Sequence, residues 1–178
     1  EFPEYGHVPM ILGPDGDKLS KRHGAVSVTQ YEDAGYLPDA MVNYLARLGW
    51  SHGDDELFDR EQLLRWFDGK HLARSPAQWD VAKLNWVNAQ LLKKVELASL
   101  VPLLAAQLMR RSLTVPTDAP LEGMCALFRE RCATTVELAD WLAMYFAEVA
   151  PSAEDRAAHV TPLVQPALSS LADALVAV

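Results

Sequence analysis

The sequence predicts a mainly α-helical chain that opens with a short β strand and a loop. Three observations carry this. After Gly24 apolar residues recur at three- and four-residue steps. Start signals (Ser27, Pro38, Asp59) and stop signals (Gly35, Gly49, Gly69) bracket the first of these runs. Only "HVPMIL", ended by the turn signal "GPDG", reads as β.

The elements follow in order. Ser27 can cap a short helix through "VTQYEDA", which Gly35 ends. In "PDAMVNYLARLG", Pro38 suits the first turn and Met41, Tyr44, Leu45 and Leu48 share one face. Asp59 with Gln62 forms a capping-box pattern opening "DREQLLRWFDG", with Gly69 at its end. A longer helix is expected through "DVAKLNWVNAQLLKK", with Leu84, Val87 and Leu91 inward and Lys93 and Lys94 at the C-terminal, dipole-favoured end. "ELASLVPLLAAQLMRR" contains Pro102, which should kink or divide it. "LEGMCALFRER" places Leu121, Met124, Cys125, Phe128 and Cys132 on one face and leaves Arg129 and Arg131 exposed. In "TVELADWLAMYFAEV" the stripe Leu138, Trp141, Leu142, Tyr145, Phe146 and Val149 reads as bundle core. "TPLVQPALSSLADALVAV" is a last helical stretch. Trp50, Trp79 and Trp86 also read as core. A smaller helical domain should therefore precede a helix bundle that begins near residue 95.

Composition narrows the function classes. Of 178 residues, 50% are hydrophobic, which fits a folded chain and not a disordered one. The best apolar run, "LASLVPLLAAQLM", is too short to span a bilayer, and no secretory leader pattern is visible. Cys125 and Cys132 fit no metal or disulfide spacing and read as core thiols in a reducing, cytoplasmic setting. No metal site is expected. A net charge of -8 argues against a generally basic nucleic-acid binder. Local basic clusters remain: Lys70, Arg74, Lys83, Lys93 and Lys94 occupy a stretch in which Asp80 is the only acid.

The sharpest cluster is "GPDGDKLSKRHG", residues 13–24, which gathers Lys18, Lys21, Arg22 and His23. Like charges so close repel, so the loop is expected to be offset by an anionic ligand. Glycines let backbone amides approach such a ligand. The spacing is not that of a P-loop. On residue chemistry alone a solvated basic loop is the competing reading.

"KLSKR" (Lys18, Leu19, Ser20, Lys21, Arg22) resembles the KMSKS signature of class I aminoacyl-tRNA synthetases. Together with "GHVPMILGPDGDKLSKRHGA", "GYLPDAMVNYLARLGWS" and "DVAKLNWVNAQ", it is similar in order and spacing to bacterial glutamyl-tRNA synthetases. The resemblance is specific from residue 5 to about residue 90; "RERCATTVELAD" adds a less distinctive segment.

The resemblance implies that glutamate attacks the α-phosphate of ATP, that pyrophosphate leaves, and that the adenylate is passed to tRNA(Glu). ATP would arrive with Mg as its own counter-ion, not one held by these residues. Lys21 matches the second signature lysine, the expected phosphate contact; Lys18 matches the first and supports it. Ser20 would shape the loop, Arg22 stands where the consensus has Ser, and His23 would order the loop. One well-placed cation aimed at developing charge contributes roughly 3–4 kcal/mol. Lys83, Lys93 and Lys94 could touch tRNA phosphates, and Arg131 an anticodon base; a solvated helix face is the alternative for the lysines.

The family also needs a HIGH-type motif and a glutamate pocket, and nothing here matches them. The chain therefore looks like a C-terminal fragment: 1–24, the end of the catalytic domain; 25–94, a stem-contact domain; and 95–178, part of a helical anticodon-binding domain. Alone it is expected to be a monomer that binds tRNA and makes no adenylate. A free-standing helical RNA-binding or adaptor module with a vestigial loop is the alternative, and a purely structural interaction domain a third. A glutaminyl relative would continue into β-barrels here.

Overall fold

Short polar caps and Gly or Pro boundaries cut the chain into brief helices, most of which, within the first 146 residues, pack on two apolar clusters. The computed structural model describes residues 3, 5, 7–23, 27–147 and 150–176. Two compact units result, Glu1–Phe146 and Ala147–Val178.

In the first unit, β1 (Ile11–Leu12) pairs in parallel with β2 (Ala77–Gln78), Ile11 opposite Ala77 and Leu12 opposite Gln78. On its other edge β1 meets the returning chain through an antiparallel bridge from Leu12 to Lys18. Helices α1 (Val28–Asp33), α2 (Pro38–Arg47) and α3 (Arg60–Trp66) lie between the two strands in sequence. Ser27 Oγ accepts from Thr29 N, Pro38 opens α2, and Asp59 and Gln62 form the full capping box of α3. After β2, Asp80 caps α4 (Val81–Leu92), and α5 (Leu97–Arg110), α6 (Leu121–Phe128) and α7 (Thr135–Ala143) follow. A 3-10 turn at Arg129–Arg131 links the last two.

One cluster holds Met41, Tyr44, Leu48, Trp79 and Leu84 beneath the small sheet, with Ile11 and Leu19 against it. Tyr44 OH ties α2 to the start of α4, accepting from Asp80 N at 2.7 Å and donating to Asp80 O at 2.9 Å. The other cluster runs from Leu37 and Ala40 through Val87 and Leu92 to Leu100, Leu104, Leu108, Cys125, Leu138 and Leu142. It joins α2 and α4 to α5–α7.

Polar ties accompany the second cluster. Buried Asn88 accepts from Leu37 N at 2.8 Å, and its amide nitrogen donates to Ala133 O. The carbonyl of Gly35 (φ +85) accepts from Thr135 N at 3.0 Å, which satisfies an orphan donor at the start of α7. In the second unit, Ser152 caps α8 (Ala153–His159), and α9 (Gln165–Val176) follows a turn.

The mainly helical expectation holds, and several details change. α3 stops at Trp66, because Phe67 turns extended (ψ 105) before Gly69 is reached. Leu92, not Leu91, is the fully buried residue ending α4. Pro102 divides nothing: α5 runs through it. Pro102 and Ala98, whose carbonyl loses its partner, are both exposed, so water can satisfy that group. α7 ends at Ala143, and the expected stripe splits. Leu138 and Leu142 are buried, while Trp141 and Tyr145 are exposed and flank Phe128, Trp141 stacked at 5.7 Å and 22°. Val149 lies outside the described residues. Trp50 and Trp79 are core; Trp86 is 39% exposed.

Candidate nucleotide and nucleic-acid interface

The basic loop is braced by its own backbone. Gly13 N donates to Asp17 O at 2.7 Å and Gly16 N to Gly13 O at 3.0 Å, closing a tight turn. Gly16 sits at φ +82, where a side chain would be strained. Asp15 Oδ1 accepts from Asp17 N at 3.1 Å, an Asx turn. From β2, the Gln78 side-chain amide donates to Pro14 O at 3.2 Å. Leu19 N then donates to Ile11 O at 2.9 Å.

This extended stretch alternates its side chains. Leu19 turns to the Met41–Tyr44 cluster, while Lys18 and Ser20 are exposed. Lys21–His23 form a 3-10 turn on which Lys21 and Arg22 are exposed. Gly24 and the surroundings of the His23 side chain lie outside the described residues.

The charges divide into two groups. Arg22 pairs with Asp17 at 2.5 Å and with Asp15 at 3.6 Å. Among the described residues, neither Lys18 nor Lys21 has a carboxylate in ion-pair range. This corrects the expectation that the whole basic cluster needs an outside anion. The loop's own acids cover Arg22, and the demand for a counter-charge rests on Lys18 and Lys21. Asp15, Asp17 and Gln78 are the residues that sequence reasoning passed over. The first two were visible in "DGD", within seven positions of Arg22; Gln78 has no local signal.

The other basic candidates sit along and beyond α4. Lys83 is already engaged: its ammonium hydrogen-bonds Glu56 Oε2 and lies 4.2 Å from the centre of the Trp86 ring. The Lys83 hydrogen bond holds the Glu56 carboxyl below the usual carboxylate range, helped by the charges of Lys83 and Arg47. Lys93, about 15 Å further along the helix, is the C-cap of α4 and approaches Glu130 at 3.8 Å. Arg129, expected to be exposed, instead donates from Nη1 to Val95 O at 2.9 Å. This contact docks the 3-10 turn, which carries Arg131, just past the end of α4. Arg131 and Lys94 are exposed, and neither has an ion-pair partner among the described residues. Lys83 is thus set apart from Lys93 and Lys94 along α4, and Arg131 is carried by the docked turn. Among the described residues, no set of three or more His, Cys, Asp or Glu could hold a metal ion, and no helix is long and apolar enough to cross a membrane.

Residues 1–86 match the family model "tRNA synthetases class I (E and Q), catalytic domain". Over 177 residues the chain is 57% identical to the glutamate–tRNA ligase of Leptothrix cholodnii, covering 99% of this chain and 38% of the relative. It is 55% identical to that of Paracidovorax citrulli over 98% of this chain and 37% of the relative. The chain thus spans somewhat over a third of the length of these curated relatives. Among solved structures, a glutamate tRNA ligase from Elizabethkingia meningosepticum matches at TM-score 0.78 and 24% identity, over 100% of this chain and 39% of that one. The glutamate-tRNA synthetase of Elizabethkingia anophelis matches at TM-score 0.74 and 25% identity, over 93% and 37%. Over nearly its whole length, this chain is similar to glutamate–tRNA ligases, and its first 86 residues match the class I tRNA synthetase catalytic-domain model.

Proposed function

We propose that these residues serve a glutamate–tRNA ligase as its ATP-phosphate loop and its tRNA-contacting helical part. One observation carries the reading. Lys18 and Lys21 stand exposed on a backbone-braced loop with no counter-carboxylate among the described residues, whereas their neighbour Arg22 is neutralised within the loop.

In the proposed reaction the glutamate carboxylate attacks the α-phosphate of ATP, and charge grows on the departing pyrophosphate. Lys21 meets that charge, Lys18 supports it, and Ser20 shapes the loop between them. Pre-positioned cations of this kind act on the transition state more than on bound ATP. Mg enters with ATP. The glutamate pocket and HIGH-type motif are supplied by residues outside these 178. Segments 1–24, 25–94 and 95–178 are functional divisions: phosphate loop, stem contact and anticodon side. Lys93, Lys94 and Arg131 offer cations to tRNA(Glu), and Lys83 contributes only if it leaves Glu56. The setting is the cytoplasm and the chain is monomeric.

ATP–pyrophosphate exchange by a full-length ligase carrying these residues tests the loop assignment. Lys21→Ala should lower kcat by about 10²–10³, and Arg22→Ala by much less. A Lys21→Ala enzyme with an unchanged rate would remove the reading. The 178-residue chain alone should give no exchange.

A further inference from the structure

A groove between α1, α2 and α5 belongs to none of the groups assigned above. It is a cleft of about 350 Å³, within the range of small-molecule sites, roughly 300–1,000 Å³. Its apolar wall includes Val42, Leu45 and Leu103, which are 40%, 39% and 37% exposed. Apolar side chains left open side by side in a concave surface mark binding sites more often than scattered ones do.

The polar groups of the cleft decide what it accepts. Most are committed. Arg110 pairs with Asp33 at 2.6 Å, Tyr36 OH donates to Asn85 Oδ1 at 2.5 Å, and the Thr135 hydroxyl donates to Gly35 O at 3.3 Å. Two acceptors are not committed among the described residues. Glu32, exposed at the rim, has no ion-pair partner. Gln107 is only 4% exposed; its Nε2 reaches Asp33 O at 3.5 Å, and its Oε1 accepts no hydrogen bond. That oxygen is not fully buried, so a ligand donor can reach it in place of water. Glu32 and Gln107 both line the cleft. Both call for a donor, and one is anionic.

We infer that this cleft binds a small amphipathic amine. Its apolar body rests on Val42, Leu45 and Leu103, and its ammonium donates to Glu32 and Gln107. An anion is excluded by Glu32 and by the commitment of Arg110 to Asp33. The site is separate from the phosphate loop and needs no part of the aminoacylation reading.

The test is a titration of the chain followed by ¹H–¹⁵N correlation spectra, with 2-phenylethylamine as probe. The neutral 2-phenylethanol and the anionic 3-phenylpropionate serve as comparisons. The amine should produce saturable shifts confined to residues 28–32, 42–45 and 103–107. The alcohol should bind about tenfold more weakly, the value of one charge-assisted hydrogen bond, and the carboxylate should not saturate. Glu32→Gln, a surface change that leaves the fold intact, should weaken the amine about tenfold. Leu103→Trp should fill the groove and abolish binding, with the rest of the spectrum reporting that the chain is folded. Absence of saturable shifts up to about 10 mM amine, equal binding of amine and carboxylate, or an unchanged affinity in Glu32→Gln would overturn the proposal. So would saturation by a lysine-bearing peptide but not by the free amine, because the groove would then be a protein-docking surface.

Discussion

Gly35 and Gly16 show how one residue type carries two different loads. Both have positive φ, +85 and +82. A Cβ on Gly35 would come within 2.6 Å of Val136 N and 2.8 Å of Thr135 Oγ1, whereas one on Gly16 meets nothing within 4 Å. Gly35→Ala should therefore cost backbone strain plus a clash, about 2–4 kcal/mol, and Gly16→Ala strain alone, about 1–2 kcal/mol. Urea unfolding of the two variants checks the order; equal costs would mean that the Gly35–Thr135 contact yields freely. The cysteines make a second residue-scale case. Burial pushes the thiols of Cys125 and Cys132 up to about 11, and both are almost fully enclosed. The folded state therefore favours the protonated thiols. Their contribution to stability is complete below the unfolded thiol value and is lost as pH rises from about 9 towards 11. Replacing both by Val should flatten the fall in urea midpoint across that window. An identical slope in the variant would show that the thiols do not report burial.

Among elements, α5 makes the clearest prediction. Pro102 lies in its interior on the exposed side and deletes one backbone donor. Pro102→Ala should restore that bond without disturbing Leu100, Leu104 or Leu108, and stabilise the chain by about 1–3 kcal/mol. A loss of stability on thermal unfolding would assign Pro102 a packing role that its exposure does not show. The helices were legible where their signals are local: Ser27, Pro38 and Asp59 act within three residues of themselves. β2 was not legible, because two residues of strand are defined only by partners at Ile11 and Leu12, far away in the chain. Trp141 and Trp86 misled for the same reason. Helical spacing places a residue on a face, and only the packing of other elements decides whether that face is covered. The loop divides similarly. Its cations could be read from twelve consecutive residues, and the family resemblance from these together with the segments 35–51 and 80–90. The engagement of Lys83 by Glu56, across 27 positions, and the docking of Arg129 on Val95 needed the fold.

For the whole molecule, the account joins an acidic chain of net charge -8 to a polyanionic partner. That is consistent only if local groups do the binding. Lys93 and Lys94 end α4, Arg131 belongs to the 3-10 turn docked there through Arg129, and Lys83 is held by Glu56. A small number of phosphate contacts follows, and with it a shallow salt dependence. The measurement that bears most directly on this is a titration of the chain with tRNA(Glu) and an unrelated tRNA across a salt series. The account predicts a preference for tRNA(Glu) and a log–log slope of about −2 to −3, the release expected from three neutralised phosphates. A triple variant at Lys93, Lys94 and Arg131 should remove most of that slope. No binding at low salt, or a slope unchanged in the triple variant, would contradict the claim that this face of the chain meets tRNA.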